Sequence, residues 1–145
     1  MLTQTTQVAE IEKALRMIAG IIKQKGREIL KEFDITPPQF VALQWLSEEG
    51  DLTIGELSGK MFLACSTTTD LVDRMENNGL VKRVKDENDR RVVRIHLLEK
   101  GSDLIVKAID KRQDYLREIF EGYSKEEIDR LENSLTHLYK EIKQA

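Results

Sequence analysis

The sequence predicts a mainly α fold with one small β-hairpin, an α+β arrangement in which helices dominate. Apolar residues recur at helical spacing over most of the chain, only 6% of its 145 residues are aromatic, and only two are proline. Strand-like alternation is confined to the segment around residues 80–97. Capping boxes that begin at Thr36, Thr53 and Ser124 mark three helix starts inside the chain.

Narrow apolar seams are predicted on the helices at both ends of the chain. The first helix is expected over residues 8–32, with a seam formed by Val8, Ile11, Leu15, Ile18 and Ile22. The last helix repeats this spacing of three and four with Ile128, Leu131, Leu135, Leu138 and Ile142. Such seams are typical of coiled coils, so we expect these helices to interlock with those of a second copy of the chain. An intramolecular helix bundle is the alternative.

Three helices are predicted in the middle of the chain. One begins after the Thr36 cap, with Pro37 at its first position, and a short one begins after the Thr53 cap. A turn separates the short helix from a helix over residues 66–77. The inner face of this third helix is predicted to consist of Thr68, Leu71, Val72 and Met75.

Two strands and a charged turn follow that helix. Strands are predicted over residues 80–85 and 92–97, and a turn over residues 86–91 joins them into a hairpin. A hairpin directly after a helix-turn-helix is a wing. The predicted organisation is a single domain over residues 1–145, with a winged helix-turn-helix over residues 36–100 between dimerisation helices over residues 1–35 and 101–145.

Double-stranded DNA is the partner that these elements favour. Hydroxyl residues crowd the start of the helix over residues 66–77, where they suit an outer face that touches a polar surface. A helix in the major groove reads bases near its N-terminus, and arginines on a wing can enter a minor groove. The predicted DNA-binding residues are Ser66, Thr67, Thr69, Asp70, Arg74, Asp89, Arg90 and Arg91.

Two acidic residues in this set need a reason to lie near phosphates. Asp70 is expected to accept a hydrogen bond from a cytosine amino group or to pair with Arg74, one helical turn further on. Asp89 is expected to brace a wing arginine. For the hydroxyls the alternative is simple surface polarity, and for the wing arginines it is a solvated turn.

The charge distribution agrees with a local DNA contact. The whole chain has a formal net charge of −3, but residues 80–97 carry six basic and three acidic side chains. Exposed charges act over only about 10 Å at ordinary salt, so a basic hairpin on an acidic body can still engage phosphates.

Composition limits the other classes of protein. No run of 18 apolar residues exists, the first ten residues lack the apolar core of a signal peptide, and the single cysteine cannot form an internal disulfide. We therefore expect a cytoplasmic protein without a membrane partner.

No motif in the sequence indicates an enzyme, a cofactor or a metal site. A phosphate-cradling glycine loop, a nucleophile elbow and a paired-carboxylate motif are all missing. His96 and His137 lie on different elements, and since a metal needs three or four ligands, surface or capping roles are expected. Cys65 is expected to be a small packing residue; a redox role at a helix start is the alternative.

The chain resembles a known family in six stretches, which are Leu52–Leu57, Ser66–Thr69, Leu71–Glu76, Gly79–Val81, Asp86–Arg91 and Leu97–Gly101. At these spacings, and over nearly its whole length, it is similar to the MarR family of bacterial winged-helix transcription regulators. The resemblance implies a homodimer on a pseudo-palindromic operator, usually repressing and usually released by a small ligand or by oxidation. It also implies that the helix over residues 66–77 enters the major groove and that Arg91 enters the minor groove.

Three residues depart from the family pattern. Phe62 stands where many members have a turn glycine, so the turn is expected to adopt another backbone form. Asp70 stands where a basic residue is common, which leaves the base preference open. Leu98 replaces a frequent threonine cap, so the next helix is expected to fray or to be capped differently.

The resemblance also implies a small-molecule effector. Its pocket is expected where the dimerisation helices meet the DNA-binding region, lined by residues such as Met17, Phe40, Trp45 and Leu116. The sensing cysteine of peroxide-responsive members lies in the first helix, where this chain has none. A winged helix that docks proteins without binding DNA is the alternative function.

Overall fold

Helices account for most of the computed structural model, which describes residues 2–145, with side chains from Thr5 onward. Its elements are α1 (Leu2–Glu32), α2 (Pro37–Glu49), β1 (Leu52–Thr53), α3 (Ile54–Met61), α4 (Cys65–Asn77), β2 (Val81–Lys85), β3 (Val93–Leu97), α5 (Glu99–Phe120) and α6 (Lys125–Gln144). The predicted mainly α fold with a small wing is confirmed. The helix α1 starts six residues earlier than the sequence predicts.

All three predicted capping boxes form. The hydroxyls of Thr36, Thr53 and Ser124 each accept a hydrogen bond from the amide three residues on, and the Gln or Glu at that position accepts one from the cap residue's own amide. These exchanges satisfy backbone donors that a helix start leaves without intrahelical partners, which is why the sequence fixes these three starts so sharply.

The wing belongs to a three-stranded antiparallel sheet in the order β1-β3-β2. The predicted two-stranded hairpin is therefore incomplete, because Leu52 pairs with Ile95 and Thr53 pairs with Arg94. A two-residue strand is too short to show alternation, so no local pattern marks β1. Its pairing joins the start of α3 to the central strand of the wing.

The core lies beneath the helix-turn-helix. The chain divides into two compact units, one ending at Arg112 and the other beginning at Gln113. In the first unit, α2, α3, α4, the sheet, the end of α1 and the start of α5 contribute buried apolar side chains; among the most deeply buried are Phe40, Leu43, Leu57, Val72, Met75, Leu80, Val81 and Ile95. The inner face predicted for α4 is confirmed: Thr68, Val72 and Met75 are fully buried, and Leu71 is partly buried against the core.

The second unit contains the end of α5 and all of α6. The rings of Phe120 and Tyr123 meet edge to face at 5.4 Å in the turn between the two helices. No residue of α6 is buried, and Leu135, Tyr139 and Ile142 are exposed in the single chain. The assignment of residues 1–145 to one domain stays a prediction.

The α1 seam is also exposed in the single chain. Its five apolar residues, Val8, Ile11, Leu15, Ile18 and Ile22, are between 39% and 63% exposed.

Within the described part of the chain, no helix combines the length and the apolar character needed to cross a membrane.

Two departures from the family pattern have different outcomes. The turn does not adopt another backbone form at Phe62, because Phe62 takes the left-handed conformation itself, with φ 55° and ψ 41°. That prediction is wrong. The amides of Phe62 and Leu63 close the end of α3 by donating to the carbonyl oxygens of Gly59 and Ser58. These bonds hold the turn whatever the side chain.

The start of α5 is anchored without a threonine cap. The Leu98 amide donates to the Leu80 carbonyl oxygen at 2.9 Å, and Lys100 Nζ donates to the Asn78 carbonyl oxygen at 2.7 Å. These two bonds hold the start of α5 to the segment before β2, and the expectation that this helix frays or is capped differently stays a prediction. Gly101 allows this close approach, since a Cβ there would lie 2.6 Å from the Leu80 carbonyl oxygen.

Replacing Gly101 with alanine is expected to destabilise the fold. The new Cβ would also lie 2.8 Å from Leu97 Cδ1, so α5 must move away from the sheet. We expect the free energy of unfolding, measured by urea denaturation, to fall by about 1–3 kcal/mol. The matched control is Gly59→Ala in α3, where a Cβ meets nothing within 4 Å and stability should rise by about 0.5–1 kcal/mol. Equal stability of Gly101→Ala and the unmodified chain would contradict the tight approach.

Candidate nucleic-acid interface

The first turn of α4 brings the predicted hydroxyl residues together on the surface. Ser66 and Thr67 are exposed, and Thr69 is half-buried. The Thr69 hydroxyl donates to the Cys65 carbonyl oxygen at 2.8 Å, so its oxygen can still accept a hydrogen bond. Ser66 and Thr67 therefore offer donors and acceptors to a ligand, whereas Thr69 offers an acceptor.

The N-terminus of α4 differs from those of α2, α3 and α6. Its N-cap residue is Ala64, and no side chain accepts a hydrogen bond from the first amides of this helix. Uncapped amides at a helix start favour an anionic group. Cys65 is the first residue of α4 and is exposed, so the expectation that it packs inside is wrong. It is exposed although its spacing places it on the same face of α4 as Thr68, Val72 and Met75, because that face is buried only from Thr68 onward.

Asp70 and Arg74 lie on the exposed side of α4, but they do not pair. In the described part of the chain neither side chain has a hydrogen bond or ion pair, so the pairing expected for Asp70 is not formed. Exposed pairs of this kind contribute only about 0–1 kcal/mol, so the chain loses little stability when this one does not form. Both groups thus remain available to a ligand.

Arg83 on β2 fastens α4 to the wing, a contact that sequence reasoning missed. Its guanidinium donates to Glu76 Oε1 at 2.5 Å and to Asp73 Oδ1 at 2.7 Å, and its amide donates to Glu76 Oε2 at 3.1 Å. Asp73 and Glu76 stand three residues apart on one helix face, opposite a basic strand, and this spacing is the signal that could have revealed the contact.

The wing tip holds Arg91 in a fixed but exposed position. Asp89 accepts hydrogen bonds from the Arg91 amide at 3.0 Å, from Nε at 3.1 Å and from Nη2 at 3.3 Å. The side chain of Arg91 is nevertheless 91% exposed. The predicted brace is therefore confirmed. The pKa of Asp89 lies below its usual value because of the Arg91 guanidinium and then the Arg91 amide. Arg90, beside it, is exposed without a partner in the described residues.

Asp86 shapes the turn that carries these arginines. One of its oxygens, Oδ2, accepts hydrogen bonds from the amides of Asn88 and Asp89, both at 3.1 Å. The other, Oδ1, accepts from Arg94 Nε at 3.0 Å. The Arg94 guanidinium, followed by the two amides, lowers the pKa of Asp86 from its usual value.

Arg94 connects this turn to α3. Its Nη1 donates to Glu56 Oε1 at 3.3 Å, the same oxygen that accepts from the Thr53 amide in the capping box. The Thr53 amide and hydroxyl lower the pKa of Glu56, and Arg94 adds to this effect. The wing tip is thus linked through side chains to the first helix of the helix-turn-helix, which the sequence did not reveal because Glu56 and Arg94 are 38 residues apart.

His96 has the structural role expected of it. Its Nδ1 lies 2.8 Å from Asp51 Oδ1, next to the β1–β3 pairing. This contact joins the loop before β1 to the central strand.

A cleft lies at the end of α1, and its lining residues are not those predicted for an effector pocket. Its volume is about 230 Å³, and it is lined by Ile22, Lys23, Gly26, Arg27, Leu30, Pro37 and Arg112. None of Met17, Phe40, Trp45 and Leu116 lines it. Phe40 belongs to the core instead, with the Arg112 guanidinium 4.9 Å from its ring, and Trp45 lies against Lys60.

Comparison with known proteins gives consistent matches. A model of the MarR family matches residues 35–93. The chain is 67% identical over 136 residues to YsmB, an HTH-type transcriptional regulator of Bacillus subtilis, with 94% of this chain and 93% of that protein covered. It is 63% identical to a solved MarR family protein from Bacillus stearothermophilus, with a TM-score of 0.84 and 94% and 96% of the two chains covered. IacR, a transcriptional repressor of Pseudomonas putida, is 30% identical over 125 residues, with 83% of this chain and 72% of that protein covered.

Replacing Arg94 with glutamine is expected to raise the pKa of Asp86. The folded-state pKa of Asp86 is lowered. Asp86 therefore contributes stability above the usual pKa of an aspartate, about 4, and this contribution disappears as pH falls through the lowered pKa. Without Arg94 this contribution shrinks, and acid unfolding should begin at a higher pH. Carboxyl pKa values measured by NMR check the change.

The control for this prediction is Lys82→Gln, which removes a positive charge from exposed β2 without touching Asp86. It should leave the pKa of Asp86 unchanged. An Asp86 that titrates alike in the Arg94→Gln chain and the unmodified chain would rule out the link.

Proposed function

The chain belongs to the MarR family, and from that premise we propose that it is a homodimeric repressor that binds a pseudo-palindromic operator and leaves it when a small ligand binds. The chain is a DNA-binding transcriptional regulator and not an enzyme, because its family and its relative YsmB are HTH-type regulators. Repression is supported by the similarity to the repressor IacR.

Arg91 is the observation that carries this proposal. Asp89 fixes the arginine through three hydrogen bonds, yet the side chain stays 91% exposed. A charged side chain that is ordered without being buried is prepared for a partner of opposite charge. A minor groove offers strongly negative potential in a narrow space, so Arg91 is assigned to it and Arg90 to the adjacent phosphates.

The first turn of α4 is assigned to the major groove. Ser66, Thr67 and Thr69 offer hydroxyl oxygens and methyl groups to base edges and phosphates, and the uncapped amides favour a phosphate. Arg74 is assigned to a phosphate or a guanine. Asp70 is assigned to a cytosine amino group, because it has no cation to neutralise it in the described residues.

Homodimerisation is supported by the exposed seams on α1 and α6. Exposure of a run of apolar side chains at heptad spacing to water is unfavourable, and a second copy of the chain would bury this surface. Two copies would then present two DNA-binding regions at a fixed separation, which is why the operator is expected to be two-fold symmetric.

Release by a small ligand is supported by the cleft at the end of α1. Its lining combines the apolar side chains of Ile22 and Leu30 with the cations Lys23, Arg27 and Arg112. Such a lining suits a small molecule that carries both an apolar group and a negative charge.

This part of the proposal is tested by adding such a molecule to gel-shift titrations of the unmodified protein and of an Arg112→Gln variant. Release of DNA by the unmodified protein but not by the variant would support the proposal. Equal release by both proteins would count against it.

Selection of bound DNA from a random pool tests the proposal as a whole. We expect enrichment of a two-fold symmetric consensus, since a dimer places two equal reading surfaces on the duplex. An asymmetric consensus would contradict the dimer. No enrichment, together with salt-insensitive capture of a protein, would favour the protein-docking alternative.

The Arg91→Ala substitution is expected to weaken operator binding by about 1–3 kcal/mol, because the groove loses its cation. Gel-shift titration on the selected consensus gives the affinity. The matched control is Arg130→Ala on exposed α6, which removes the same charge outside the predicted DNA-binding region and should change affinity little. Unchanged binding by Arg91→Ala would remove the wing from the interface.

The Ile18→Glu substitution is expected to dissociate the dimer. Ile18 is 52% exposed in the single chain, so a carboxylate there is tolerated by the monomer but would be buried without a partner in a coiled-coil seam. Sedimentation equilibrium should show a lower mass. The control Ala9→Glu adds the same charge to exposed α1 off the seam and should leave the mass unchanged. A dimer that survives Ile18→Glu would place the subunit contact elsewhere.

A further inference from the structure

Phe62 is the most exposed of the large apolar side chains in the described residues. It lies in the turn between α3 and α4, and 94% of it is accessible to solvent. A lone exposed apolar residue is ordinary on a protein surface. An almost fully exposed phenylalanine in a tight turn between two helices is less so, because a small polar residue would serve the turn as well.

The backbone at Phe62 makes this choice more costly. Its φ of 55° and ψ of 41° lie in the left-handed region, where a side chain crowds the following carbonyl oxygen. Glycine adopts this conformation freely, and asparagine and aspartate adopt it more readily than phenylalanine does. Because the ring is exposed, no burial of apolar surface offsets the strain. Strained backbone at an exposed position is a recurrent feature of functional sites.

Backbone hydrogen bonds fix the course of the chain at Phe62. The Phe62 amide donates to Gly59 and the Leu63 amide donates to Ser58, so the chain reverses at Phe62 and returns Leu63 toward the protein. Leu63 is half-buried, whereas Phe62, Ala64 and Cys65 are exposed. This strained residue therefore exposes an aromatic ring to solvent directly before the first turn of α4.

This place is next to the surface assigned to DNA. In a helix-turn-helix the first helix crosses the DNA backbone and the N-terminal residues of the second enter the major groove, so the turn between them lies at the groove edge. Ser66 and Thr67 lie four and five residues after Phe62, in the first turn of α4. The apolar surfaces that DNA offers there are thymine methyl groups and deoxyribose rings.

We propose that Phe62 is an apolar DNA contact that contributes to the choice of operator, an inference that rests on the proposed function. The strain at Phe62 is then retained because it holds the ring against thymine methyl groups or deoxyribose. A second copy of the chain is a poorer candidate, because the extended apolar seams lie on α1 and α6 and the neighbours of Phe62 on α4 are hydroxyl residues.

The Phe62→Gly substitution separates stability from DNA binding. Glycine relieves the left-handed strain, so the thermal midpoint at fixed protein concentration should rise by about 2–4 °C. Affinity for the consensus selected by the unmodified protein should fall about five- to thirtyfold, as expected for the loss of one apolar contact. The slope of affinity against salt should stay the same, because no phosphate contact is lost.

Three further variants exclude a loosened turn or a general effect of strain. Phe62→Leu keeps an apolar side chain and should retain most of the affinity. Phe62→Asn suits the left-handed conformation but is polar, and it should bind as weakly as Phe62→Gly. The matched control is Asp34→Gly, at the other non-glycine residue with positive φ in the described chain, on an exposed loop between α1 and α2. It should not lower DNA affinity.

Consensus sites in which each thymine in turn is replaced by deoxyuridine identify the contacted group. If deoxyuridine at one position lowers the affinity of the unmodified protein but not that of Phe62→Gly, the ring contacts the thymine methyl group at that position. If no single replacement has this effect and Phe62→Gly binds every site more weakly by the same factor, the ring contacts deoxyribose. Wild-type affinity of Phe62→Gly, or a change in its oligomeric mass, overturns the inference. Failure of the unmodified protein to select any consensus would instead overturn the proposed function itself.

Discussion

The hydrogen bonds of Arg94 are the interaction on which the arrangement of the DNA-binding region depends. One guanidinium joins Glu56 at the start of α3 to Asp86 at the start of the turn of the wing. Each carboxylate already orders its own backbone, since Glu56 caps α3 and Asp86 closes the turn of the wing. The position of the wing tip is thereby tied to the start of the helix-turn-helix, in addition to the bonds of Arg83 that tie β2 to α4.

The helix α4 is held by two different forces. Its inner face is fixed by burial of Thr68, Val72 and Met75 in the core, and its far end is fixed to β2 by Arg83. Arg83 also neutralises Asp73 and Glu76, two of the acidic groups that would otherwise repel phosphates. An acidic protein can in this way present a cationic wing to DNA, because opposing charges on the body are screened or already paired.

Strain and exposure mark the parts of the chain that the fold itself does not need. The core leaves Phe62, Arg91 and the α1 seam in water, and none of them is stabilised there by burial. In a chain whose buried side-chain polar atoms all have partners, within the residues that the structure describes, such exposed groups are the natural places to seek partners outside the chain.

Local chemistry explains what the sequence alone determined. Some features depend on residues at most a few positions apart, or on a repeated spacing, so they can be predicted from the sequence. These are the three capping boxes, the inner face of α4, the two strands of the wing and the Asp89–Arg91 brace. The tertiary structure decided the contacts between distant segments: the pairing of β1 with β3, the bridges made by Arg83 and Arg94, the anchoring of α5 by the Leu80 carbonyl oxygen, and the lining of the cleft. It also decided that Phe62 takes a glycine-like conformation. Backbone hydrogen bonds at the end of α3 impose that conformation, and no single-residue preference outweighs them.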